Sequence, residues 1–429
     1  MTDLNNVDFF NDPQLALDPY PLLEYLAANR PVWREPTHGV ALVAGHQEAM
    51  EVLRDPATFS SSTIVSGPVP PFPVELTGDD ITDIVAQYRD DLPMGDQIVA
   101  FDPPKHTAHR AILMGLITPK RLKENEEFIW RLTDRQLDVV LPLDRFELMT
   151  QYAHPYALLV VADLLGVPEE DHQLLLRKNG FSIDRVPGVG VGTSGEEDGS
   201  SHGGLAALYD YFIEAIEDRR REPRGDVLSG MANATFPDGS TPELIDCARI
   251  ASNLFSAGQE TTVRLLGTAL KRIAEDGDLQ TLLREKRELI PKYIEETLRF
   301  EGPIKGEFRL TLKTTQLAGV DLPAGTPVML LNSGANRDAR RFESPGEFLL
   351  DRANARNHLA FGHGVHTCPG APLARSEVRI TIERLFDRTD DIRISEADHG
   401  PEGNRRFDYM PTYMFRGLTK LFLELTPKA

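Results

Sequence analysis

The sequence predicts a mainly α-helical chain with small β-sheets, an α+β fold in a single domain covering 1–429. Three observations carry this reading. Long stretches place apolar residues at helical spacing. Strand-like runs bounded by turn residues are confined to the two ends. No repeat, linker or break in composition divides the 429 residues, and a chain of that length buries a large core without disulfides or a structural zinc.

Segments 19–29 and 46–54 are predicted to be short helices. Between them, 32–35 and 40–44 form a predicted strand pair around His38-Gly39. Segment 119–141 is predicted helical because Leu122, Phe128, Leu132, Leu137 and Val140 fall near one another on a wheel. Segment 152–165 is apolar nearly all round, as a buried helix is. The stretch 187–204 (PGVGVGTSGEEDGSSHGG) is rich in glycine, serine and acid and reads as an exposed mobile loop. Its formal G-x-G-x-x-G at Gly190, Gly192 and Gly195 lacks the strand before and the helix within that a dinucleotide site needs. A long helix is expected from Thr241 as N-cap, with Pro242 in the first turn, to about residue 275. It would span about 50 Å. Segment 308–331 is strand-rich, with turn signals at Ala318-Gly319 and Pro323-Ala324-Gly325. A last helix follows Cys368, with Ala374, Val378, Ile382 and Leu385 on one face.

Composition excludes several function classes. The net charge of −20 argues against nucleic-acid binding and against adhesion to an anionic membrane. The two cysteines, Cys247 and Cys368, cannot build a disulfide framework, so a reducing compartment is expected. Residues 1–12 are polar and acidic and lack the basic-then-apolar order of a leader. The most apolar run, 156–167, contains Asp163 and is shorter than the roughly 20 residues of a membrane span. A cytoplasmic monomer is the expectation.

The most informative segment is 361–370 (FGHGVHTCPG). Its Cys368 lies just before a predicted helix, where free N–H groups and positive potential lower a thiol pKa. From these residues alone three readings stay open: an inert buried cysteine, a zinc site with His363 and His366, or a Cys/His nucleophilic site. Zinc has only three clustered candidates here, and a structural zinc usually takes four.

The segment resembles the heme-binding loop of the cytochrome P-450 superfamily, F-x-x-G-x-x-x-C-x-G. Phe361, Gly364, Cys368 and Gly370 supply that spacing. Members of this family hold heme iron through a cysteine thiolate. Four further segments resemble family motifs in the family's order. Ala257-Gly258-Gln259-Glu260-Thr261-Thr262 resembles the oxygen-activation motif. A helix-interior glycine costs about 1 kcal/mol against alanine, so Gly258 marks a close approach or a local widening. The resemblance implies that Ala257 and Gly258 pass over the heme face, and that Glu260 and Thr261 line a proton path. Glu296 and Arg299 match the E-x-x-R pair beneath the heme. Many members add an arginine in a P-x-R-F segment, but here Pro345-Gly346-Glu347-Phe348 carries Glu347. The usual three-residue network is therefore not expected in that form. His106 and Arg110 resemble the H-x-x-x-R segment, and with Arg309 and His366 they are implied to bind heme propionates by charge-assisted bonds. Ala335-Asn336-Arg337-Asp338 with Phe342, Pro345 and Phe348 resembles the stretch leading to the cysteine loop.

This resemblance spans about residues 13–425. It implies a P-450 fold with heme b (iron protoporphyrin IX) between the long central helix and the cysteine-loop helix, and Cys368 as iron ligand. The implied activity is monooxygenation of an apolar small molecule: a terpenoid, steroid, fatty acid or aromatic. Two cysteines cannot serve both a heme and a plant-type iron–sulfur cluster, so a separate ferredoxin and ferredoxin reductase are the implied electron source. Arg352, Arg356 and Arg375 are expected to form a basic patch for that ferredoxin. Family-like pocket positions are Met94, Ile98, Val99, Leu254, Ile304, Met414 and Phe415. Lys305 would anchor a substrate carboxylate if it points inward. Segment 187–204 falls where the family places its lid. Pro369 has no N–H to offer the ligand sulfur. A peroxygenase, dehydratase or isomerase on the same cofactor and a non-enzymatic heme-thiolate binder are the alternatives; Glu260 with Thr261 favours dioxygen activation.

Overall fold

Helices α1 (Pro13–Leu17) and α2 (Tyr20–Asn29) open a computed structural model that describes residues 4, 7–172, 175 and 201–428, the side chains of 201–207 excepted. Asp12 caps α1 by accepting from the Gln14 amide. Strands β1 (Val32–Arg34) and β2 (Ala41–Val43) pair antiparallel with Trp33 opposite Leu42, as the alternation predicts. Helix α3 (His46–Arg54) follows. The sheet grows from distant sequence. β2 runs parallel to β8 (Pro327–Leu330), β8 antiparallel to β5 (Glu307–Thr311), and β5 antiparallel to β3 (Phe59–Ser60).

Two smaller sheets complete the β-structure among the described residues. β4 (Phe146–Glu147), β10 (Phe422–Pro427) and β9 (Thr389–Ile394) form one. The hairpin of β6 (Thr315–Leu317) and β7 (Val320–Leu322) turns through Ala318 and Gly319, both left-handed at φ 48° and 80°. Such a two-residue turn matches the twist of the strands it joins.

The helical part holds α4 (Lys105–Leu116), α5 (Pro119–Val140), α6 (His154–Leu165), α7 (Ser201–Arg221), α8 (Leu244–Glu275), α9 (Ile290–Glu301) and α10 (Ala371–Arg388). Thr118 caps α5 by accepting from Arg121, with Pro119 in the first turn. The loop expected at 187–204 lies outside the described residues as far as 200, and 201–204 already belong to α7. Central helix α8 has 32 residues, about 48 Å. It begins later than expected. Glu243, with extended backbone at φ −63° and ψ 154°, is its cap residue, and Thr241 and Pro242 precede the helix.

α8 lies against α7, α6 and α10, and the main apolar core fills the spaces between them. α8 stays α-helical through Gly258, so that glycine marks a close approach and not a widening. A Cβ there would lie 2.8 Å from Val161 Cγ2 of α6. A second apolar cluster joins α2, β1 and β2 to Phe308 and Met414. No helix among the described residues is long and apolar enough to cross a membrane.

Candidate active site

The cysteine loop is built against the end of α3. Gly364 has φ 72°, and a Cβ there would stand 2.2 Å from the Leu53 carbonyl oxygen. Only glycine fits that backbone and that distance. The Cys368 amide donates to the Phe361 carbonyl at 2.9 Å, closing the loop on itself. The half-buried sulfur then sits at the head of α10, where the Gly370 and Ala371 amides point at it. Pro369, between Cys368 and those two residues, supplies no donor. The expected lowering of the thiol pKa is not what results. Burial pushes the Cys368 thiol up, and the two amides with Arg110 and Arg375 offset only part of that.

Beside the loop two imidazoles lie tilted against each other at 39°. His106, on α4, and His366 have ring centroids 4.0 Å apart. Burial first, then Arg110, pushes His106 down to about 4. Burial, then His106, Arg309 and Arg110, pushes His366 down to about 2. With only protein groups around them, both rings are held in the neutral form near pH 7. His106 Nδ1 and His366 Nε2 are buried without a hydrogen-bond partner. Arg110 donates to the Thr367 carbonyl, and Arg309 pairs with Glu307 at 3.0 Å. Buried polar atoms are normally satisfied, so two orphaned nitrogens flanked by two guanidiniums mark a binding site for an anionic group. Propionates of a heme fit it.

The central helix shows the complementary feature. α8 is buried over most of its length, yet Asn253, Ser256, Ala257, Glu260 and Thr261 are partly or fully accessible, Ala257 most of all. Their spacing of three and four residues puts them along one stripe. Ala257 offers only a methyl group at the most accessible point of that stripe.

A family model for cytochrome P450 matches residues 206–389. The solved structure of Mycobacterium marinum cytochrome P450 CYP150A6, in the substrate-free form, is 48% identical. It superposes at a TM-score of 0.92 over 99% of this chain and 100% of that one. This chain belongs to the cytochrome P450 family. Streptomyces venezuelae cytochrome P450 monooxygenase PikC is 30% identical over 95% of this chain and 91% of PikC. CYP109E1 from Bacillus megaterium, solved in complex with corticosterone, is 27% identical, with a TM-score of 0.79 over 96% of this chain and 99% of that one. The fold is the P450 fold, the protein is an oxidoreductase of the P450 monooxygenase family, and a heme-thiolate cofactor goes with that family.

The P450 frame explains a residue that sequence reasoning misplaced. Glu296 and Arg299 form an ion pair at 2.7 Å with both side chains fully buried, not an exposed pair. Arg352 joins them with Nε 3.0 Å from Glu296 Oε1. A three-residue network is therefore present, and Arg352 supplies the third member where Glu347 offers only its backbone carbonyl. This removes Arg352 from the basic patch, since its side chain is 4% exposed. Arg375 is also committed, donating to Glu295 at 2.6 Å. Arg356 makes only a 4.0 Å contact with the same Glu295 and stands out at 77% exposure.

Pocket candidates of this P450 divide in two. Ile98 and Leu254 are buried in the main core, with Val99 packed against it. Met94 is half-buried at φ 57°. Met414 lies in the second cluster with Phe415 packed on it, and Ile304 bridges to Phe415. Lys305 is a correction. Its side chain is buried, but Nζ donates to the Ala16 carbonyl at 2.6 Å, at the C-terminal end of α1. Lys305 lies in the bend before β5, and its side chain is spent on the N-terminal helix, so it is not a substrate anchor.

Proposed function

We propose that this cytochrome P450 binds heme b through Cys368 and inserts one oxygen atom from dioxygen into an apolar small molecule of the terpenoid, steroid, fatty-acid or aromatic class. The observation that carries the proposal is the cysteine loop: a thiol receiving two backbone amides at a helix head, beside two buried imidazoles with unpaired nitrogens. In this reading His106, Arg110, Arg309 and His366 hold the propionates, with neutral imidazoles acting as hydrogen-bond donors. Phe361 and Gly364 shape the loop, and Ala257 and Gly258 lie over the macrocycle. Glu296, Arg299 and Arg352 stiffen the chain below it.

Bound heme supplies the oxidant for an unactivated C–H bond, and the second oxygen atom leaves as water at the expense of two electrons and two protons. The protein's own part is orientation, dryness and proton delivery. Thr261, whose Oγ1 donates to the Ala257 carbonyl at 3.1 Å, holds a hydroxyl on the accessible stripe. Glu260, one position earlier, is the carboxyl that moves protons there. The apolar candidates Met94, Ile98, Val99, Leu254 and Ile304 select for apolar substrate, and the corticosterone-bound relative supports a steroid-sized one.

Electrons come from a ferredoxin and its reductase. Arg356, with exposed Arg54 beside His363 of the cysteine loop, gives an otherwise acidic protein a basic docking face. The chain acts as a single catalytic domain, as a monomer in the cytoplasm, where its free cysteines stay reduced.

The test has two steps. The reduced protein with carbon monoxide should give the heme-thiolate absorption band, and Cys368→Ala should abolish it. A spectral-shift screen of steroids, terpenoids and fatty acids, followed by turnover with surrogate ferredoxins and NAD(P)H, should yield hydroxylated product. A band without any product would favour a heme-thiolate binder, and product from peroxide alone a peroxygenase.

A further inference from the structure

Glu260 and Arg264 lie four residues apart on α8, a spacing that places them on one face. Glu260 Oε1 accepts from Arg264 Nε at 2.6 Å and from Nη2. The third guanidinium nitrogen, Nη1, donates to the Leu418 carbonyl. The Arg264 side chain is 1% exposed and that of Glu260 is 21% exposed. Gly417 makes room for this arrangement. A Cβ there would lie 2.2 Å from Cδ, 2.6 Å from Cγ and 2.8 Å from Cβ of Arg264. Thr261 bonds to the Ala257 carbonyl, so Glu260 and Thr261 share no hydrogen bond.

Few charges surround the pair. Among the described residues, Arg264 on α8 acts on Glu260, and His154 on α6 faces Arg264. His154 is pushed down to about 4, by burial first and then by Arg264, and is neutral near pH 7. The 417–418 segment contributes only backbone. Burial pushes the Glu260 carboxyl up, and Arg264 pulls it part of the way back.

We infer that Arg264 is a positioning residue for proton delivery: it parks the Glu260 carboxylate away from Thr261 and receives it again after each transfer. This rests on the monooxygenase reading above. In the cycle Glu260 takes a proton from bulk water and leaves the guanidinium as a neutral acid. It gives that proton up on the Thr261 side and returns to Arg264 as carboxylate. One proton enters from solvent for each one delivered. Leu418 and Gly417 fix the guanidinium, so the carboxylate is the part that travels.

The test is an infrared titration of the resting holoenzyme, with the Glu260→Gln spectrum subtracted to assign the carboxyl band. In Arg264→Gln the midpoint of that band should rise by about one to three pH units, because a nearby cation favouring the ionised form is lost. Arg264→Lys should hold the midpoint near that of the parent. Gly417→Ala keeps the guanidinium but forces it from its seat, and should also raise the midpoint. That variant decides the matter if Arg264→Gln fails to fold. The pH dependence of product formed per NAD(P)H consumed should move in the same direction. Unmoved midpoints in Gly417→Ala and Arg264→Gln, with the carbon monoxide band intact, overturn the positioning role. Absence of that band from the unsubstituted protein would instead overturn the heme-thiolate reading, and the Glu260 midpoint would still be measurable.

Discussion

Arg352 Nε donates to both carboxylate oxygens of Glu296, at 3.0 and 3.1 Å, in a network whose other cation, Arg299, is also buried. One buried carboxylate thus balances two guanidiniums, and Arg299 spends its remaining donors on the Asn336, Pro345 and Glu347 carbonyls. Removing the carboxylate leaves two uncompensated guanidiniums in a dry site. Glu296→Gln should lose about 3–5 kcal/mol of stability, read by chemical denaturation. A loss below about 1 kcal/mol, as for a surface pair, would show the network to be dispensable.

Pro369 should set the electronics of the thiolate. The Gly370 and Ala371 amides already point at the sulfur, and the proline withholds a further donor. Pro369→Leu restores an N–H next to the ligand. Hydrogen bonds to a ligating sulfur raise reduction potential, so the heme potential should rise. The iron–carbon monoxide stretch should shift in the sense of weaker thiolate donation. An unchanged or lower potential with the loop preserved would refute this.

Electron delivery should depend on Arg356. Arg356→Glu is predicted to slow reduction by ferredoxin several-fold at low salt, with the gap closing as ionic strength rises. Reduction by dithionite should be unaffected. Equal ferredoxin kinetics in the two proteins would rule out docking at this face.

Lys305 predicts a pH dependence of stability. Burial first, then Arg416, pushes its pKa down to about 7 from 10.5. The unfolded chain therefore holds a proton that the folded chain releases between those values. Stability should rise with pH across that window, since the unfolded state binds more protons. Lys305→Met removes this contribution. The stability difference between parent and variant should move in the parent's favour from pH 7 to pH 10, measured by urea denaturation. A pH-independent difference would mean that Lys305 titrates normally.

Some of this was legible in the sequence because the signal was local. Helical spacing in α5 and α6, the turn residues of β6–β7 and the glycines around Cys368 each act on their own neighbours. What sequence could not show depends on pairing across distance. Arg352 reads as a surface arginine until the chain brings it to Glu296. Lys305 could point either way until the bend before β5 is pinned from far along the chain, where its amide donates to the Met414 carbonyl at 2.7 Å. Arg264 sits in plain view four residues from Glu260, yet its anchoring needs Gly417 and Leu418 from the far end of the chain. Thr241 looked like a cap, yet the helix starts only after Glu243.

The parallel pairing of β2 with β8 sets an order of events during synthesis. Ala41 lies opposite Val328, and Leu42 opposite Met329. β2 must wait for β8, 287 positions beyond Ala41 at Val328, before it gains a partner on that edge. Loop closure over such a span comes late, while the helices that follow can pack as they emerge. Trp33, Leu42 and Val43, buried in the finished protein, face water throughout that interval. Such exposed strands recruit chaperones or aggregate. Yield in a recombinant host should therefore respond to the rate of translation and the supply of chaperones more than to the stability of the completed fold.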